Sequence, residues 1–322
     1  MAATRTAAMS STPAMDCWFL TGPTAAGKTG VGVELARRIN AEIVSLDSMT
    51  LYREMDIGTA KPSDAERRAV PHHLIDVIGP HEEYSLARYV EAAHRCIDEI
   101  RARAREVLFV GGTPLYLKGL LRGIFKGPPA DWDFRETLQE ESRQHGSEML
   151  HQRLAKVDPV AARRLHPNDT RRIIRALEVY EKTGRTISEL QRQFEVGRPA
   201  DACRVFVLDW PRDQLYDRIN RRVDQMFAAG LVEEVGRLLG ATRPPSRTAR
   251  QAVGYRETIE HLEGKRTLPE TIDLVKRHTR QFAKRQSTWF RSLSECRLVP
   301  VEDRIDPVEV AHRIVEAGGK SD

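Results

Sequence analysis

The sequence predicts an α/β fold: a P-loop-containing doubly wound parallel sheet carrying a helical insertion domain. Three observations predict it. Five short apolar runs alternate with stretches of helical periodicity. A glycine-rich G-x-x-x-x-G-K-T motif follows the first run and opens the first helix. A section of about 75 residues between the fourth and fifth runs carries no strand signal.

The elements follow in order. Cys17–Thr21 (CWFLT) reads as the first strand, followed by the glycine-rich turn and a helix to about Ile39. Glu42–Leu46 (EIVSL) is the second strand, Leu74–Ile78 the third and Val107–Val110 the fourth, with a helix over roughly Leu86–Arg105 between the last two. The breaker clusters Lys126–Ala130 (KGPPA) and Gly197–Ala200 (GRPA) bracket the strandless section. Arg204–Leu208 (RVFVL) is the fifth strand. Beyond it the chain is mostly helical, with Gly230 placed to stop a helix that begins near Asp213. The expected organisation is a leader over 1–15, a P-loop α/β core over 16–126 and 201–300, a helical insertion over 127–200, and a tail over 301–322 with a short helix from Pro307. The leader is expected to be disordered, being small, polar and without the apolar stretch of a signal peptide.

Composition narrows the class. Hydrophobic residues make up 40% and charged residues 30% of the 322, an ordinary globular balance. No apolar run approaches the roughly 18 residues of a membrane helix. The four cysteines are far apart, which indicates neither a zinc set nor a disulfide scaffold and points to a reducing, cytoplasmic setting. The net charge of +5 permits a polyanionic partner without requiring one.

The motif runs Gly22, Pro23, Thr24, Ala25, Ala26, Gly27, Lys28, Thr29. Its glycines let the backbone curl so that N–H groups face phosphate oxygens, and the helix N-terminus adds a favourable dipole. Lys28 supplies a point charge, and the Thr29 hydroxyl is placed to hold Mg²⁺. The loop establishes a phosphate chain, not a nucleoside triphosphate. A nucleotide hydrolase usually carries a second apolar strand ending in Asp, whereas Val107–Val110 ends in Gly111-Gly112-Thr113. The Asp that follows a strand is Asp47. In an open α/β sheet the site lies at the carboxyl ends of the strands, so Asp47 and Thr113 both belong beside the loop. A carboxylate there is a candidate metal ligand or general base, or else a helix cap.

Several segments together resemble the tRNA dimethylallyltransferases of bacterial type. They are Ile43–Pro62 around Asp47, Pro71–Asp76, Tyr84–Tyr89, Val110–Tyr116, His166–Tyr180, Gln251–Glu257 and Lys284–Arg291. The resemblance implies a magnesium-dependent transfer of a dimethylallyl group from dimethylallyl diphosphate to the exocyclic amine of the adenosine 3′ of the anticodon. The loop Gly22–Thr29 would then hold the donor's diphosphate, joined by Arg222. Thr113 resembles the threonine near the bridging oxygen, and Asp47 matches the general base. An aspartate beside a magnesium–diphosphate is expected to keep a low pKa. Three segments match tRNA contacts: Asp47, Ser48, Met49 and Thr50; Arg171, Arg172, Ile173, Ile174 and Arg175; and Gln251, Ala252, Val253, Gly254, Tyr255 and Arg256. By the same resemblance the helical insertion grips the anticodon stem-loop and the protein is a monomer.

The residues speak to an RNA partner independently in one place. Lys276–Arg291 holds six Lys or Arg and no acid. Its basic face suits phosphates, while Phe282, Trp289 and Phe290 are expected in the core. The insertion is nearly neutral, with 13 Lys/Arg against 12 Asp/Glu from Asp131 to Ala200, so composition alone does not nominate it. The adjacent histidines His72 and His73 point to opposite faces of a strand and cannot easily share an ion, which favours a structural role. Two positions depart from the family pattern: Thr50, where Gln or an apolar residue is common, and Pro114, where a flexible residue is usual. Three alternatives stay open. They are an adenylate isopentenyltransferase acting on free nucleotide, a P-loop kinase of small molecules, and a non-catalytic RNA-binding protein with a vestigial loop. The insertion and the basic helix count against the first, the missing strand-terminal Asp against the second, and the joint presence of Lys28, Thr29, Asp47 and Thr113 against the third.

Overall fold

A computed structural model describes residues 14–125, 127–191 and 197–319. The chain divides into two compact units: one takes in the residues up to Leu121 and from Gly197 onward, the other Arg122–Val196.

The first unit opens with β1 (Trp18–Thr21), α1 (Lys28–Arg38), β2 (Ala41–Ser45), α2 (Asp64–Ala69), β3 (His72–His73), α3 (Leu86–Ala102), β4 (Glu106–Gly111) and α4 (Pro114–Arg122). The second holds α5 (Trp132–His145), α6 (Ser147–Val157), α7 (Pro159–Arg164), α8 (Thr170–Thr183) and α9 (Ile187–Leu190). The first resumes with β5 (Val205–Asp209), α10 (Arg212–Ala228), α11 (Leu231–Leu239), α12 (Arg247–Arg250), α13 (Tyr255–Leu262), α14 (Leu268–Arg291), β6 (Cys296–Pro300) and α15 (Pro307–Gly318).

The six strands form one sheet in the order β3-β2-β4-β1-β5-β6, and every pairing is parallel. β1 is central, with Leu20 opposite Val110 on one side and Phe206 on the other. All four of its residues are buried, as expected of a strand covered on both faces. Successive side chains alternate between faces. Leu20 joins a cluster with Val31 and Leu35 of α1, Ile219 of α10 and Ile314 of α15. Phe19 instead stacks on Phe109 at 4.9 Å.

Two strands differ from the sequence-based expectation. The third is His72–His73, not Leu74–Ile78. Leu74 and Asp76 adopt positive φ of 58° and 59°, which breaks the extended run, and Ile78 makes only an isolated bridge to Tyr52. The sixth strand, Cys296–Pro300, was not anticipated. It is an edge strand with most side chains partly or fully exposed, so it lacks the apolar continuity that marks its neighbours.

The N-terminal end departs from expectation where it is described, whereas the tail forms the helix expected from Pro307. Ala14 of the expected leader is buried, and its N–H donates to the Leu120 carbonyl at 3.0 Å. Residues 1–13 lie outside the described part. In the tail, Val310, Ala311 and Ile314 of α15 belong to the main core. Pro307 lies against Gly30 of α1, and the Trp18 ring is so close to Gly318 that a side chain there would collide with it.

The second unit packs its helices around Leu138, Leu150, Leu154, Ile173 and Leu177. A fully buried carboxylate, Glu178, holds it together. Arg135 grips Glu178 with two bonds of 2.8 Å, Arg175 donates to it as well, and the Asp131 N–H adds a bond of 2.8 Å.

Candidate active site

The loop after β1 takes the shape its glycines permit. Gly22 has φ 145° and its α-carbon faces the Leu208 backbone, while Gly27 has φ 88°. Four of the loop's carbonyls are held by side chains. Lys28 Nζ donates to Gly22 O at 3.1 Å and to Pro23 O at 2.8 Å. Arg218 Nε donates to Ala25 O at 2.9 Å, and Trp210 Nε1 to Ala26 O at 3.0 Å. Arg218 also lies over the Trp210 ring at 4.4 Å. With these carbonyls satisfied by side chains, the loop leads into the uncapped N-terminus of α1, the arrangement an anion needs.

Asp47 follows β2, and Thr113 follows β4, the strand between β2 and β1. The loops are joined directly. Thr113 Oγ1 accepts from the Ser48 N–H at 3.0 Å, and the Thr113 N–H donates to Leu46 O at 3.0 Å. Pro114, one of the two departures from the family pattern, is the first residue of α4, where its missing N–H costs nothing and its fixed φ suits the helix. Asp47 Oδ1 accepts from the Met49 N–H at 2.9 Å. Lys28, Asp47 and Arg222 of α10 lie within electrostatic reach of one another.

Burial dominates the protonation of this trio. It pulls Lys28 down to about 8, with Asp47 opposing and Arg222 reinforcing the shift. It also raises the carboxyl of Asp47, against the Met49 amide and the charges of Lys28 and Arg222. A low pKa was expected for Asp47; within the protein itself, loss of water outweighs the two cations. Arg222 is lowered, again mainly by burial.

The expected RNA-contacting positions divide between surface and interior. Thr50 is buried, its hydroxyl sharing a hydrogen bond of 2.7 Å with Ser45 and donating to Asp47 O at 3.2 Å, so its side chain serves the turn. Gln251 and Arg256 are exposed, whereas Gly254 and Tyr255 are buried. Tyr255 OH donates to the buried Glu234 at 2.6 Å. Glu234 also accepts the N–H groups of Asp56, Ile57 and Gly58 at 3.0, 2.8 and 3.2 Å. One carboxylate thus ties the chain that follows Asp47 to the Gln251–Arg256 segment. In the helical unit Ile173 and Ile174 are core residues, while Arg171 and Arg172 are exposed. Arg172 pairs with Asp169 and Arg175 with Glu178. The outward chemistry of that segment therefore rests on its arginines.

On α14 the aromatic residues split as well. Phe290 is fully buried and Trp289 half-buried, but Phe282 is 37% exposed, beside Arg285. His72 Nδ1 bonds to Val70 O and His73 Nε2 to Glu42, so both histidines are spent internally. Three residues of the site had no separate signal in the sequence. Trp210 and Arg218 support the loop from behind, and Gln286 of α14 reaches it from the side. A lone buried glutamine or tryptophan carries no spacing pattern, and Arg218 reads as one of three arginines on a helix face.

A model of the IPP transferase family matches residues 50–293. The tRNA dimethylallyltransferase of Rhodopirellula baltica is 47% identical over 290 residues, covering 88% of this chain and 87% of its own. That of Desulforudis audaxviator is 49% identical, over 92% and 95%. Among solved structures, the full-length tRNA isopentenylpyrophosphate transferase of Bacillus halodurans is similar with a TM-score of 0.67, at 40% identity over 93% of this chain and 94% of that one. A eukaryotic dimethylallyltransferase acting on tRNA reaches a TM-score of 0.71 at 27% identity, over 89% and 74%. With a family match across most of its length and near-full-length relatives at almost half identity, the chain belongs to the IPP transferase family.

Proposed function

We propose that the protein transfers a dimethylallyl group from dimethylallyl diphosphate to N6 of the adenosine that follows the anticodon in tRNA, releasing diphosphate. One observation carries this reading. An anion-cradling loop, a half-buried carboxylate and a loop-borne hydroxyl meet at the carboxyl ends of three adjacent strands. Family membership supports tRNA as the acceptor, because the relatives above are named for that activity.

The chemistry follows from the residues. N6 attacks the allylic carbon, the carbon–oxygen bond breaks, and its electron pair leaves on the diphosphate. The amides at the start of α1, with Lys28 and Arg222, stabilise that growing negative charge in the transition state more than in the ground state. Thr113, fixed by its bond from the Ser48 N–H, donates its own proton to Ser48 Oγ over a long 3.4 Å, a weak bond that the departing oxygen can replace. Asp47 takes the proton that N6 loses. Its raised pKa makes it a stronger acceptor at the moment the amine turns cationic.

Magnesium fits the residues present. The Thr29 hydroxyl makes no hydrogen bond among the described residues, and no cluster of three His, Cys, Asp or Glu there forms a cage. That suits an ion that keeps its waters and binds substrate phosphates through one or two protein groups. Held by Thr29, it would neutralise charge on the diphosphate. The exposed arginines of 171–175 and the segment Gln251–Arg256 are the proposed tRNA contacts. We take the protein to act as a cytoplasmic monomer. Among the described residues no helix is long and apolar enough to cross a membrane.

The test offers labelled dimethylallyl diphosphate and Mg²⁺ with unmodified tRNA, with the same tRNA carrying guanosine 3′ of the anticodon, or with AMP. Label in the first alone is the expected result. Label in AMP instead would move the protein to nucleotide prenylation, and label nowhere would remove the donor assignment.

A further inference from the structure

Gln286 is 4% exposed, on the inner face of α14 with Ala283 and Phe290. Its Oε1 accepts the Thr24 N–H at 2.9 Å and its Nε2 donates to the Gly112 carbonyl at 2.5 Å. Thr24 belongs to the loop after β1, and Gly112 immediately precedes Thr113 after β4. The other supports of the first loop, Arg218, Trp210 and Lys28, bond only to its own carbonyls. The Thr113 loop is held on its far side, by Leu46 O and Ser48. We propose that Gln286 is a positioning residue for the transfer reaction: its carboxamide sets the spacing between the diphosphate cradle and Thr113.

The proposal rests on the functional reading above. Gly112 shows how tight the junction is. A β-carbon there would lie 2.8 Å from Gln286 Nε2, 3.3 Å from Gly22 O and 3.4 Å from Lys28 Nζ. A carboxamide is the side chain that offers one acceptor and one donor at fixed spacing. The bond to the Gly112 carbonyl is buried and the bond from the Thr24 N–H part-buried, so both backbone groups gain from a protein partner. Asparagine is one methylene too short, methionine fills the space but bonds to neither group, and an ionised glutamate accepts from Thr24 but repels the Gly112 carbonyl. A protonated glutamic acid restores both bonds, its C=O accepting and its O–H donating. The same helix carries Arg277, Lys284, Arg285 and Arg291 on its exposed side, so Gln286 also ties the expected RNA face to the reacting groups.

The test compares wild type with Gln286→Met and Gln286→Glu. Four quantities are measured: transfer kinetics with tRNA, affinity for inorganic diphosphate with Mg²⁺, melting temperature, and hydrogen exchange at the Thr24 amide. For Gln286→Met the expected result is a kcat lower by roughly 10²-fold, the scale of a misplacement near 1 Å. Diphosphate affinity should stay within about threefold, because the cradle keeps its other supports. The ratio of Gln286→Glu activity to wild type should climb as pH falls and the new carboxyl takes up its proton. Packing loss alone would not produce that recovery. A wild-type kcat in Gln286→Met overturns the proposal, as does an equal deficit of both variants at every pH that tracks melting temperature. If wild type transfers no label, the functional reading fails on its own. Exchange at Thr24 still decides on Gln286: faster exchange in Gln286→Met supports its hold on the loop, and unchanged exchange ends it.

Discussion

Asp47 and Lys28 share a site in which burial acts on both and in opposite directions. Replacing Asp47 by Asn keeps the shape and removes the proposed proton acceptor. Transfer should fall by roughly 10²–10⁴-fold, the usual weight of a general base, while inorganic diphosphate still binds. Single-turnover transfer beside calorimetry with diphosphate reads both; a variant that loses both equally would point to a structural role for Asp47. Lys28 gives a prediction with a definite sign. Its pKa is about 8 in the protein, and a bound diphosphate must raise it. Binding therefore takes up a proton above pH 8. Affinity should be full below that value and weaken by up to about tenfold per pH unit above it. Titrations with inorganic diphosphate from about pH 6.5 to about pH 9.5 test this, and a Lys28→Met variant should bind weakly and keep only the pH dependence of the diphosphate's own ionisation.

At the scale of elements, the site depends on contacts with no tolerance for extra atoms. A β-carbon on Gly111, the last residue of β4, would collide with the Leu46 carbonyl. That neighbour is backbone, so Gly111→Ala should cost about 1–3 kcal/mol and shift Thr113 as well. Thermal melting and transfer rate should fall together. A wild-type melting temperature would show that the strands can separate. Gly58 lies flat against the Tyr255 ring, where any side chain would strike it, so this is the glycine that lets Tyr255 reach Glu234. In the helical unit, Glu178→Ala leaves Arg135 and Arg175 facing each other without their acid. Both arginines are about a third exposed, so the expected cost is about 2–3 kcal/mol rather than that of a fully buried pair. Chemical denaturation of the full chain would register it as a lower midpoint.

At the scale of the whole molecule, the net charge of +5 does not by itself drive RNA binding. Basic character is local, on the exposed side of α14 and at Arg171 and Arg172. Affinity for tRNA should fall with salt in proportion to the phosphates contacted, at about −0.7 in log–log slope for each single-strand contact. Arg171→Ala should weaken binding and flatten that slope by about one such step. An unchanged slope would remove Arg171 from the interface.

Much of this molecule was legible in the linear chain. The parallel sheet shows because buried strands must be continuously apolar, and the anion loop because phosphate binding demands glycine and lysine at fixed spacing. Asp47 and Thr113 were placed beside that loop by topology alone, since parallel strands deliver their carboxyl ends to one edge of the sheet. Tertiary structure decided the rest. It turned Leu74 and Asp76 out of a strand, added an exposed edge strand, drew Ala14 and α15 into the core, and buried Ile173, Ile174 and Tyr255 within expected contact segments. It also recruited Trp210, Arg218 and Gln286 from distant segments to hold one loop. The division has a physical cause. Periodicity and motif spacing record what neighbours in the chain must do, whereas a buried polar side chain is chosen by a backbone group that only the folded protein brings within reach.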